Sequence, residues 1–201
     1  MDARDLLLDE HGRMHSAAVT GDKTTLAERT FAGLSDEQMR VRPREDLNSL
    51  AWLMWHIARA EDIFANLILA GRDQVLDDGW MSRLGTRRRD FGIGMTKPEV
   101  GELTTAVDVA ALRDYRDAVG RRTQELIRGL ADADWKGALE VARLEKAAAL
   151  GCFGARGEQI AKAFTGRPRL AIMGALLVTH SAGHMGEAAT VRAAGGFGTG
   201  V

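Results

Sequence analysis

Five histidines are the residues of this chain best suited to hold a metal ion, and four of them fall into two pairs spaced i,i+4: His11 with His15, and His180 with His184. Four residues climb about 6 Å of α-helix and turn about 40° past a full circle, so either pair can aim two imidazoles at one ion. Their surroundings separate them. His180 and His184 continue the apolar run 172–178, on the face shared by Leu176, Leu177 and Val191, where an unpartnered ring is costly to bury. His11 and His15 lie among Asp9, Glu10, Gly12 and Arg13, a polar neighbourhood that predicts two solvated surface rings, dispensable for metal binding. The fifth, His56, sits on a core-facing stripe through Ser49, Trp52, Ala60, Ile63 and Leu67. One imidazole from that helix and two from the helix around residue 182 predict a divalent metal centre of His56, His180 and His184, with positions left open for water or substrate.

The neighbours of these histidines have narrower expectations. Glu187 follows His184 by three positions and His180 by seven, so it is the candidate catalytic residue, bonding a ligand's second nitrogen or taking a proton. Glu61 stands about 140° around the helix from His56, off the metal face, and reads as a salt-bridge partner. Arg59, three positions after His56, is a candidate to meet an anionic substrate or cofactor, and Trp52 to wall the pocket. Arg87, Arg88 and Arg89 read as a solvated loop, with a clamp for an acidic thiol as the alternative. Cys152 has no basic neighbour in sequence but Arg156 and is not read as a nucleophile.

Helices must position all of these. Strand formers are sparse, with one tyrosine, and helix formers plentiful. Residues 5–34 predict one helix that Gly21 interrupts. Ser35 with Gln38 has capping-box spacing, and Arg42-Pro43 stops the turn it starts. Asn48 or Ser49 caps a second long helix that Gly71 ends. Residues 72–106 hold Gly79, Gly85, Gly92, Gly94, Gly101 and Pro98, which predicts a crossover with short helical turns. Asp108 caps a third helix through Leu130, short helices follow near 138–149 and 158–165, and a final helix runs over 169–194 to Gly195-Gly196. Four long helices with one long crossover make an all-α four-helix bundle, a single domain over 1–201.

Composition narrows the function classes. A chain of 201 residues, 45% hydrophobic, is long enough to bury a real core. Formal net charge is −1, which gives no reason to expect nucleic acid or an anionic membrane as partner. A single cysteine excludes an internal disulfide framework and a CxxC redox motif and fits a reducing cytoplasm. Residues 1–10 are charged and no apolar run reaches about 18 residues, so neither a signal peptide nor a membrane span is expected.

Several segments in order resemble the DinB/YfiT-like superfamily. Leu34-Ser35-x-Glu37-Gln38-Met39 followed by Arg42-Pro43 is similar to its LSxEQ…RP segment. Ser49-Leu50-x-Trp52-Leu53-x-Trp55-His56-Ile57-x-x-x-Glu61 is similar to the helix that ends in its first histidine ligand, and His180-x-x-x-His184-x-Gly186-Glu187 with Gly195-Gly196 to its HxxxHxG helix and closing glycines. The likeness covers 34–71 and 170–196 well; between them only Gly92-Ile93-Gly94-Met95-Thr96 with Glu99-Val100 is familiar, and 136–168 matches nothing. It implies a DinB-like bundle with a divalent metal, zinc first and nickel or iron as alternatives. It further implies transfer or addition of a low-molecular-weight thiol such as mycothiol to a small-molecule electrophile. A hydrolase that activates water at the same centre is the alternative. A stress-related binding or scaffold protein is a third reading. A homodimer is compatible with each.

Overall fold

The computed structural model describes residues 2–198, and no strand occurs among them; a single isolated bridge pairs Ala138 with Pro168. Helix α1 (Ala3–Arg13) opens on Asp2, whose carboxylate accepts the Asp5 N–H. The chain then turns twice where one broken helix was expected. Gly21, at φ +77°, closes the short α2 (Ala17–Thr20), and Thr25 caps α3 (Leu26–Phe31). Ser35 and Gln38 form the expected capping box at the start of α4 (Asp36–Arg40).

Helix α5 (Leu50–Glu61) starts at Ser49, whose hydroxyl accepts the Trp52 N–H, and is buried along its whole length. A helix buried on every side belongs at the centre of a bundle. It runs on as a π-helical segment, Asp62–Leu69. The Asp62 carboxylate accepts from the Val75 and Leu76 N–H groups, Asn66 and the Tyr115 hydroxyl, which ties the start of the crossover to the core. The crossover itself is more helical than its glycines suggest. It holds α6 (Asp78–Leu84) and the ten-residue α7 (Lys97–Ala106), the latter begun by a Thr96–Glu99 capping box with Pro98 in the first turn. Asp108 caps α8 (Val109–Gly129) through the Ala111 N–H, as read from sequence. Then come α9 (Asp132–Lys136), α10 (Val141–Ala149) and α11 (Gly157–Phe164). The last long helix has three parts: α12 (Arg169–Met173), a π-helical segment Gly174–Thr179, and α13 (His180–Ala194).

Helix α5 packs against α8 and α13, its π continuation against α8 and α10, and α1 against α8 and the Gly174–Thr179 segment. That arrangement is a four-helix ring. One core cluster gathers around Trp52, Trp55 and Tyr115, the other around Phe64, Phe91 and Phe153. Each such side chain, fully buried, contributes about 1.5–3 kcal/mol. No helix among the described residues is long and apolar enough to cross a membrane.

Candidate metal centre

His56, near the middle of α5, meets His180 and His184 on the first turns of α13. The Nε2 atoms of His56 and His180 lie 3.1 Å apart. Ring centroids are 5.0 Å apart for His56–His180, 4.6 Å for His56–His184 and 4.7 Å for His180–His184. One nitrogen from each ring falls within 4.8 Å of the others. The π segment ends where His180 begins, and such interruptions recur at functional sites.

Neighbours fix two of the three rings in the state a metal ligand needs. His56 Nδ1 faces the Phe91 carbonyl, which can only accept, so Nδ1 carries the proton and Nε2 keeps its lone pair. His184 Nδ1 is 2.9 Å from Glu187 Oε2, and Asn48 Nδ2 donates to Glu187 Oε1 at 2.8 Å. The bond from His184, with that from Asn48, holds the Glu187 carboxyl below its usual range despite partial burial. An ionised Glu187 makes His184 Nδ1 a donor and leaves the lone pair on Nε2. Burial pushes His56 down to about 4, with His184 adding to the effect, and pushes His180 down to about 3. At neutral pH both rings are therefore neutral, as ligands must be. The donor set and its outer bonds fit a divalent ion.

The centre opens into a cavity of about 510 Å³ walled by Trp52, Phe64, Phe91, Ile160, Phe164 and Leu176. Trp52 lies flat on His56, ring centroids 4.8 Å apart and planes 8° from parallel, and its indole N–H points at Met95 Sδ. Gly92, at φ +84°, lets the crossover lie against this wall: a Cβ there would stand 2.7 Å from Trp55 and 3.1 Å from Trp52. Sequence reasoning missed four contributors. The Phe91 carbonyl is a backbone group and has no side-chain signature. Asn48 was read only as a helix cap. Ile160 and Phe164 come from the stretch that resembled nothing, though their i,i+4 spacing was a usable sign of a buried face.

Other residues fall elsewhere than expected. His11 and His15 are not solvated: both are fully buried, with Nε2 atoms 2.8 and 2.9 Å from Glu61 Oε1 and Oε2. Their polar sequence neighbours occupy the outer side of α1, while the rings turn inward against α5. Glu61 is off the three-histidine face, as its angle required, and is itself buried. Burial works to raise its carboxyl, but the two imidazoles outweigh this and hold it well below the usual range; His15 is pushed down to about 4 by burial. Arg59 is fully buried and its Nη atoms are taken by Asp62, Tyr115, Gln74 and the Arg89 carbonyl, so it does not reach the cavity. Arg88 pairs with Asp90 and Glu99, and Arg89 with Asp78. Cys152 is buried, and burial raises its thiol pKa.

An all-α ring of helices with a histidine cluster between two of them is a bundle whose core could hold a metal. The DinB superfamily model matches residues 23–188, and the chain belongs to that superfamily. The fold is similar to the crystal structure of a conserved protein from Enterococcus faecalis, at a TM-score of 0.65 and 18% identity, covering 96% of this chain and 97% of that one. No curated protein matches the sequence.

Proposed function

We propose that the chain binds one divalent ion, zinc first, through His56, His180 and His184, and catalyses addition or transfer of a low-molecular-weight thiol to a small apolar electrophile. The observation that carries the metal is the pair of outer bonds, from His56 to the Phe91 carbonyl and from His184 to Glu187, which leave the lone pair on Nε2 in a cluster whose ring nitrogens lie within 4.8 Å of one another. An ion held there would act as a Lewis acid, lowering the pKa of a thiol and polarising a carbonyl. The thiol reading rests on superfamily resemblance and is supported by the apolar cavity, whose aromatic walls suit an uncharged electrophile.

The chain's own groups position the reaction. Trp52 and the Phe91 carbonyl hold the His56 ring from its face and its edge. Glu187, both oxygens engaged, positions His184 rather than standing free as a base. The thiol proton then leaves to water at the open cavity mouth. The test is conjugation of a model electrophile with several thiols, mycothiol included, with and without added zinc. Metal-dependent turnover lost in His184→Ala is the expected result. A rate never above the uncatalysed one, with ester or amide hydrolysis that depends on His184, would replace this reading with the hydrolase. A chain that retains no metal, and whose ligand affinities ignore His56→Ala, would replace it with a binding protein.

A further inference from the structure

A second cluster of metal-ligating groups lies on the opposite side of α5. His11, in the last turn of α1, and His15, in the turn that follows it, direct their Nε2 atoms at Glu61 Oε1 and Oε2 from 2.8 and 2.9 Å. All three side chains are 0–1% exposed. We propose that His11, His15 and Glu61 form a second divalent-cation site with a His₂Glu donor set, independent of the three-histidine centre.

Four observations carry it. The three donors lie within 4.8 Å of one another, and ligand atoms held by one ion at about 2.0–2.2 Å stand roughly 3 Å apart. Glu61 is a buried carboxylate with no lysine or arginine within salt-bridge distance among the described residues; Arg116, the buried guanidinium of this region, bonds to the Met14 carbonyl instead. A buried charge without a full counter-charge is costly, and a cation between the three donors supplies one. Gly120 of α8 makes room for the cluster, since a Cβ there would collide with the His15 ring. Finally, Glu61 is the last α-helical residue before the π segment Asp62–Leu69, as His180 is the first after Gly174–Thr179, so each π segment abuts one cluster. The enclosure marks a structural ion that fastens the end of α1 to α5, because with all three side chains buried no substrate reaches the fourth position.

The experiment counts ions in the untagged full chain by mass spectrometry, then repeats the count in His180→Ala/His184→Ala, which lacks the first centre. Two ions per wild-type chain and one in this variant are expected. Cobalt(II) should give the variant the visible absorption of a low-coordinate site, and zinc should raise its melting temperature by about 5 °C. Adding Glu61→Gln to the variant should abolish both effects. Should the double variant fail to fold, His184→Gln keeps a polar side chain and serves in its place. A folded variant that binds neither ion, with a melting temperature indifferent to zinc, overturns the second site and leaves the first untouched. Retention of one ion that disappears with His11→Ala, in a chain whose first centre is empty, would fail the proposed function and support this site.

Discussion

Asn48, Glu187 and His184 form a relay in which both Glu187 oxygens are engaged, so a change at Glu187 should be felt by an ion that His184 holds. Glu187→Ala should weaken zinc binding about 10–100-fold in a chelator competition, the range seen when the partner of a ligand ring is removed. Glu187→Gln should recover part of that loss, because an amide oxygen still accepts the Nδ1 proton. Neither change should alter the helix content seen by circular dichroism. At the other cluster, His15→Ala takes one of two donors from a buried carboxylate and leaves a hole beside Gly120. Urea unfolding of metal-free protein should show a loss of about 2–4 kcal/mol, where a solvated histidine would cost almost nothing.

Among the elements, the segment around Gly92 has the most to lose from a single methyl group. Its backbone is left-handed and its Cα side faces two indoles, so Gly92→Ala should cost about 1–3 kcal/mol of stability and loosen the Phe91 carbonyl that holds His56. A lower urea midpoint together with weaker zinc binding would show both effects. The helix ends were legible because capping is local chemistry: Ser35 with Gln38, Ser49 and Asp108 all cap as their side chains predict. The three-histidine cluster was legible because i,i+4 spacing and an apolar face are both properties of one helix. The His11–His15–Glu61 cluster was not, since flanking charges report only the outer side of α1, and its partner lies 46 residues beyond His15 in the chain. The two π segments were equally hidden, because their sequences are ordinary apolar helix. Arg59 misled for the same reason: its sequence position places it one turn from His56, but three of the four acceptors that take its guanidinium come from other elements, Gln74 and Arg89 from the crossover and Tyr115 from α8.

For the molecule as a whole, buried neutral histidines set the acid limit of stability. In the metal-free protein His56 and His15 are held down to about 4 and His180 to about 3, while an unfolded chain protonates its histidines near 6.5. Depressed folded values mean that stability is complete above about pH 6.5 and falls as pH drops toward 4, since the unfolded state takes up protons first. Each histidine contributes a slope of up to about 1.4 kcal/mol per pH unit in that window. Melting temperatures recorded across pH 4–8 should show this decline, and bound zinc should shift its onset to lower pH, because protons compete with the ion for the same nitrogens. Cys152 offers a way to watch the molecule open. As the sole thiol of the chain, buried in the connection between α10 and α11, the helix that supplies Ile160 and Phe164 to the cavity wall, it can meet an alkylating reagent only when this connection opens. Its labelling rate is therefore a built-in clock for the opening of that part of the molecule, and a molecule that packs against Ile160 and Phe164 in the cavity should slow it.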